Sequence, residues 1–193
     1  MGISKKTGVA VAITIILMLP AFLVITPEVH ASWTRNPIAD SWVETRFSDS
    51  NHGGNFTLHA RCDVYLGINI TRRIYLKFNL TGIDPNTIGN AILYLYCTES
   101  TIPPDTMNVD VHQTGDGWTE YGITWTNASA VGAYITTTEV GGINSSYGWG
   151  GDAMTNYVKA EASGDGIVTM SPSRTTTFCV GSPAWSDCTS NRM

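Results

Sequence analysis

From residue 38 onward, apolar and polar side chains alternate with a period of two in short blocks, and Gly, Asn, Asp and Pro fill the gaps. Such alternation marks strands, whose successive side chains point to opposite faces. The blocks predict strands over residues 39–45, 56–66, 73–80, 92–97, 108–113, 123–125 and 166–170, with residues 49–55 as a loop rich in types that tolerate left-handed backbone. The alternation is cleanest over residues 73–80. There Ile74, Leu76, Phe78 and Leu80 share one face and Arg73, Tyr75, Lys77 and Asn79 the other, which reads as a core strand with one wet face. Residues 92–97 are apolar on both faces, and only residues 153–162 show a short helical period. Short strands linked by turn-forming residues point to an all-β fold, an antiparallel sandwich of jelly-roll type.

The first 31 residues stand apart from this pattern. Lys5 and Lys6 precede an apolar run over residues 8–25, and Val29-His30-Ala31 offers a signal-peptidase site. The expectation is a signal peptide cleaved after Ala31, with an uncleaved membrane anchor as the alternative, and a single domain over residues 32–193. Residues 1–31 would be its only route to a membrane.

Of eleven basic and sixteen acidic side chains, residues 1–31 carry Lys5, Lys6 and Glu28, so the remainder holds nine and fifteen, a formal charge of −6. With its basic residues scattered apart from Arg72-Arg73, the chain lacks the cationic footprint that nucleic-acid binding requires. In an exported chain an even count of four cysteines favours disulfides over metal ligation. Of the three pairings, spacing favours Cys62 with Cys97, across neighbouring strand regions, and Cys179 with Cys188, closing a short loop; four free thiols are the alternative. Asn55, Asn69, Asn79, Asn127 and Asn144 each open a glycosylation triplet.

The order of blocks is itself informative. Asp40-Ser41-Trp42-Val43, Asn51-His52-Gly53, the run from Arg73 to Leu80, Ala91-Ile92-Leu93-Tyr94-Leu95-Tyr96, Val109-Asp110-Val111, Trp118-Thr119-Glu120 and Ile123-Thr124-Trp125-Thr126-Asn127 follow one another over residues 37–170. In this they resemble the DNRLRE-type domains, which include an alginate-binding carbohydrate-binding module family and the disaggregatase-related repeats of methanogenic archaeal surface proteins. The resemblance implies a jelly-roll sandwich of secreted or wall-bound proteins, with a binding or structural role and an archaeal envelope polysaccharide as target. The chain departs from the pattern at its end: Phe178-Cys179-Val180 runs into Gly181-Ser182-Pro183-Ala184-Trp185 and a polar tail, where the family has one more apolar strand. The domain is therefore expected to lack its last strand or to replace it with a cap held by Cys179 and Cys188. A missing strand would leave an edge to which a neighbouring chain could add one.

Sugar recognition needs flat aromatic faces and planar polar groups. Tyr147, Trp149 and Trp185 lie in Gly- and Ser-rich stretches and are the candidate platform; Arg72 and Arg73 are the guanidinium forks that an acidic glycan would want. Trp118 and Trp125 read as core. Asp40, Asp49 and Asp152 are candidate ligands of a structural calcium ion, though no contiguous acidic loop is present. Nucleophile-elbow, zinc-protease and phosphate-loop motifs are absent, and His52, His59 and His112 are dispersed, so the chain reads as a non-enzyme. Two functions remain: a carbohydrate-binding module of the cell surface, or a structural envelope protein that self-associates or assembles with other surface proteins.

Overall fold

The computed structural model describes residues 32–65, 68–99, 106–174 and 178–180, the last three by backbone only. Residues 1–31, with the expected signal or anchor, lie outside them. No helix among the described residues is long and apolar enough to cross a membrane.

The protein is an all-β sandwich with one helix. Along the chain run β1 (Ala39–Glu44), β2 (Arg61–Tyr65), β3 (Ile68–Asn79), β4 (Leu93–Cys97), β5 (Met107–Thr114), β6 (Val131–Val140), β7 (Ser145–Trp149), α1 (Asp152–Ser163), β8 (Ile167–Arg174) and β9 (Phe178–Val180). Seven strands form one sheet in the order β6-β5-β8-β3-β2-β9, with β1 also on β3; β4 and β7 form the second layer. Every described pairing is antiparallel except β2 with β9.

The central strand β3 shows why the layers pack. Ile74 and Leu76 point inward with Trp42, Val111, Val168 and Met170 and meet Leu93, Trp149, Met154 and Tyr157 from the second layer and α1. Each such buried side chain contributes about 1.5–3 kcal/mol of transfer free energy. The opposite face of β3, expected to be wet, is covered. Tyr75 is only 1% exposed and packs with Val43, Trp118 and Ile123 in a second cluster.

That cover is the connection between β5 and β6, and polar groups of β3 hold it. Lys77 Nζ donates to the carbonyls of Asp116 (2.7 Å) and Trp118 (2.6 Å), and the Tyr75 hydroxyl donates to the Ser129 carbonyl (2.8 Å). The Arg73 guanidinium lies 4.6 Å from the Trp125 ring centroid. From the other side, Asn51 Nδ2 donates to the carbonyls of Glu120 (2.8 Å) and Ile123 (2.7 Å). Gly53 has no substitute here, because a Cβ on it would lie 2.1 Å from the Glu120 carbonyl oxygen.

Several expectations are corrected. Residues 123–125 form no strand: the Asn127 side chain accepts from the Thr124 N–H and donates to the Gly122 carbonyl, which folds the segment into a turn. β2 begins at Arg61 rather than residue 56. β6 and β7 are strands that the pattern did not predict, since Thr, Ser and Gly interrupt the apolar alternation in both. The Cys62–Cys97 bridge is not formed: Cys62 stands on β2 in the large sheet, whereas Cys97 ends β4 in the other layer and its thiol donates to the Glu99 carbonyl. The side chain of Cys179 and all of Cys188 lie outside the described residues.

Candidate functional site

Along β4 and Ile92, the residue that leads into it, the alternation sends Leu93, Leu95 and Cys97 toward the large sheet and Ile92, Tyr94 and Tyr96 outward. Those outward side chains are 43%, 66% and 59% exposed. A strand carrying three large apolar side chains in a row on its solvent face departs from the usual polar exterior, and such patches mark contact surfaces.

The neighbouring strand makes this face flat. β7 sets Gly148 opposite Tyr94 and Ser146 opposite Tyr96. A Cβ on Gly148 would fall 3.0 Å from Tyr94 Cε1 and 3.3 Å from Ile92 Cγ2, and one on Gly150 would fall 3.2 Å from Ile92 Cγ1. The tyrosine and isoleucine side chains therefore lie over the two glycines, and any larger residue would displace them. Alternate residues on a strand are about 7 Å apart, so Tyr94 and Tyr96 form a short aromatic row. Ile92, Tyr94, Tyr96, Ser146, Gly148 and Gly150 are all uncharged. Hydrogen-bonding groups flank the row: Asn90 before Ile92, and Thr98 and Glu99 after Tyr96.

Two depressions run along the inner side of β4. A cleft of about 1000 Å³ lies between β4 and the large sheet, with residues 32–37 on its rim; a smaller pocket of about 140 Å³ holds His59, Cys97 and Glu99. Leu58 and Leu95 line both.

The residues expected to form a platform do other work. Trp149 is a core side chain, 2% exposed, and its Nε1 donates to the Val109 carbonyl at 2.7 Å. Its Gly- and Ser-rich context suggested exposure; pairing with β4 instead turns it inward. The Tyr147 hydroxyl is held within its own turn, donating to the Gly142 carbonyl and accepting from the Gly141 N–H. Trp185 lies outside the described residues.

Arg72 and Arg73 point to opposite sides of the sheet. Arg72 Nε donates to Glu44 Oε2 at 2.9 Å, and its guanidinium sits 4.8 Å from the Trp42 ring centroid. The same indole stacks on His52, with centroids 3.6 Å apart and planes 8° apart, and meets His59 edge-on at 4.8 Å. Burial pushes both imidazoles below their ordinary pKa, and the nearby Arg72 charge adds to the effect. This cluster ties residues 52–59 to β1 and β3. The Glu44 carboxylate in this cluster is buried, bonded to Arg72 and 3.8 Å from His52 Nε2.

The three aspartates do not converge. Asp40 lies on β1, where burial and the neighbouring Glu120 charge raise its pKa; Asp49 accepts from the Thr126 hydroxyl at 2.7 Å; Asp152 opens α1. No group of three metal-ligating side chains occurs among the described residues. Asn55, Asn69, Asn79, Asn127 and Asn144 are all exposed, although the Asn127 amide is engaged in its turn.

A sandwich with an uncharged aromatic row on one layer is a chemistry suited to sugar rings, and comparison with known families agrees. The sequence profile of carbohydrate-binding module family 96 matches residues 31–178. The chain belongs to carbohydrate-binding module family 96. No curated protein matches it. Membership makes this family 96 module a carbohydrate-binding domain, with carbohydrate as its class of partner. Nothing in the sequence marked Tyr94 and Tyr96 out as a site, but a signal was present: a strand apolar on both faces, followed later in the chain by a Ser-Ser-Tyr-Gly-Trp-Gly segment too small to cover it.

Proposed function

We propose that this module binds a polysaccharide on the outer face of β4 and β7, with Tyr94 and Tyr96 stacking against sugar rings and Ile92 extending the apolar floor. The observation that carries the reading is the exposed Ile92-Tyr94-Tyr96 row laid over Gly148 and Gly150. A pyranose offers a face of C–H groups that gains by leaving water for an aromatic surface, while its rim hydroxyls keep their hydrogen bonds at the edges of the row. An uncharged platform favours such ring faces over carboxylate groups, and the internal contacts of Arg72 and Arg73 point the same way.

The ligand is a polysaccharide of the cell envelope and the protein works outside the cell. The apolar run after Lys5-Lys6 and the resemblance to disaggregatase-related surface repeats support this reading. Retention of the full exported chain on immobilised neutral and acidic polysaccharides, with and without a calcium chelator, tests it. Retention on a neutral glycan, unaffected by the chelator, is the expected result. A chain that binds no glycan and instead self-associates with concentration would make it a structural envelope protein.

A further inference from the structure

We propose that residues 32–37 form a second wall of the sugar site, with Trp33 as an aromatic contact that makes the module select long glycan chains over short oligosaccharides. The inference rests on the Tyr94–Tyr96 platform and extends it across the mouth of the neighbouring cleft. Ile92 and Tyr94 belong both to the platform and to the lining of that cleft, and residues 32–37 stand on its rim. The mouth therefore has two lips, one on β4 and the residues before it, the other on the segment that leads into β1.

Local structure holds the second lip in place. The Ile38 N–H donates to the Lys77 carbonyl at 2.7 Å, which ties the end of the segment to β3. Pro37 fixes its own φ and disfavours helical backbone at Asn36, so the chain leaves that anchor stiffened. Trp33 follows four residues away and is 55% exposed, whereas Trp42, Trp118 and Trp149 are buried. The Arg35 guanidinium lies 5.5 Å from its ring centroid and steadies the indole through a cation–π contact. A large aromatic ring kept in water at the rim of a cleft is a contact surface of the kind that sugar rings stack on.

Polar groups accompany the aromatics on both lips. Arg35 forms no ion pair among the described residues, and its Nη1 donates only to the adjoining Thr34 carbonyl at 3.2 Å. On the other lip Asn90 Oδ1 accepts from the Thr155 hydroxyl at 3.3 Å, and its Nδ2 makes no hydrogen bond among the described residues. The floor between the lips is apolar, with Leu76, Phe78 and Met170, and offers sugar hydroxyls no partner. A glycan therefore crosses the mouth from lip to lip: one ring stacks on Tyr94, hydroxyls meet Asn90 and Asn36, and a further ring stacks on Trp33. A disaccharide occupies the tyrosine row alone, and only a longer chain reaches Trp33.

Retardation of the full exported chain in gels containing soluble β-glucan, galactomannan or xyloglucan selects the probe, whose oligosaccharides of two to six units are then titrated calorimetrically. The parent should bind the hexasaccharide more tightly than the disaccharide. Trp33→Ala should lower hexasaccharide affinity about 10-fold, leave disaccharide affinity within about twofold and keep Tm within a few degrees, because the side chain is exposed. Trp33→Phe should restore most of the loss. Parent-like hexasaccharide affinity in Trp33→Ala, or an equal loss for both oligosaccharides, would overturn the proposal. Should Trp33→Ala be parent-like while Tyr94→Ala, Tyr96→Ala loses binding, the second wall falls and the platform stands; a parent chain that no gel retards contradicts both.

Discussion

Tyr94 lies across Gly148, so closely that a single added methyl group would stand 3.0 Å from its Cε1 atom. The ring is thus laid along the sheet rather than raised from it, with its outer face presented to solvent. Gly148→Ala should lift the ring and weaken glycan binding on the order of 10-fold, about 1.4 kcal/mol, with a far smaller change in the unfolding midpoint. Affinity electrophoresis and urea unfolding, run on the same variant, separate the two effects.

Trp149, the next residue along β7, should behave in the opposite way. Its indole fills the core and its Nε1 is bonded to the Val109 carbonyl, so Trp149→Ala should cost about 3–5 kcal/mol of stability. Where the variant remains folded, it should still be retained on the glycan. Thermal unfolding followed by a pull-down at low temperature checks both halves.

Asn51 fastens the β5–β6 connection by donating to two carbonyls 69 and 72 residues away. Asn51→Ala leaves those carbonyls without their partner and should cost about 1–3 kcal/mol, seen as a lower urea midpoint at unchanged slope. Glycan affinity should not move, since the connection covers the face of the large sheet remote from β4.

Stability should also fall in mild acid. Burial holds His52 and His59 below their ordinary value of 6.5, so the unfolded chain takes up protons first as pH drops through that value. Their contribution is complete above about pH 6.5 and is lost progressively below it. Tm should be level from pH 8 to 7 and decline toward pH 5.5, and the His52→Gln, His59→Gln double variant should decline less. A flat profile in the parent protein would contradict the buried, stacked placement of these rings.

The parts of the fold that were legible in the sequence are those where packing and local pattern coincide. β3 alternates because one face meets the core, and β1 and β5 were readable for the same reason, whereas β4 was readable as a short run apolar on both faces. Residues 145–149 were not, because the glycines and serines that make β7 flat under Tyr94 are also the residues of loops, and only pairing with β4 makes them a strand. The same ambiguity hid the face. Trp149 drew attention as an aromatic among small residues, yet those small residues serve Tyr94 and Ile92 on the neighbouring strand. Arg72 and Arg73 were conspicuous as the one basic pair, and sequence spacing does not reveal that Glu44 and Trp125 already engage them.

The most direct test of the account is the dissociation constant of a Tyr94→Ala, Tyr96→Ala double variant on whichever glycan retains the parent protein. Both side chains are more than half exposed, so Tm should stay within a few degrees while affinity falls at least ~30-fold, about 2 kcal/mol. Parent-like affinity in a folded double variant would show that the sugar binds elsewhere on the sandwich and would contradict the assignment of this face.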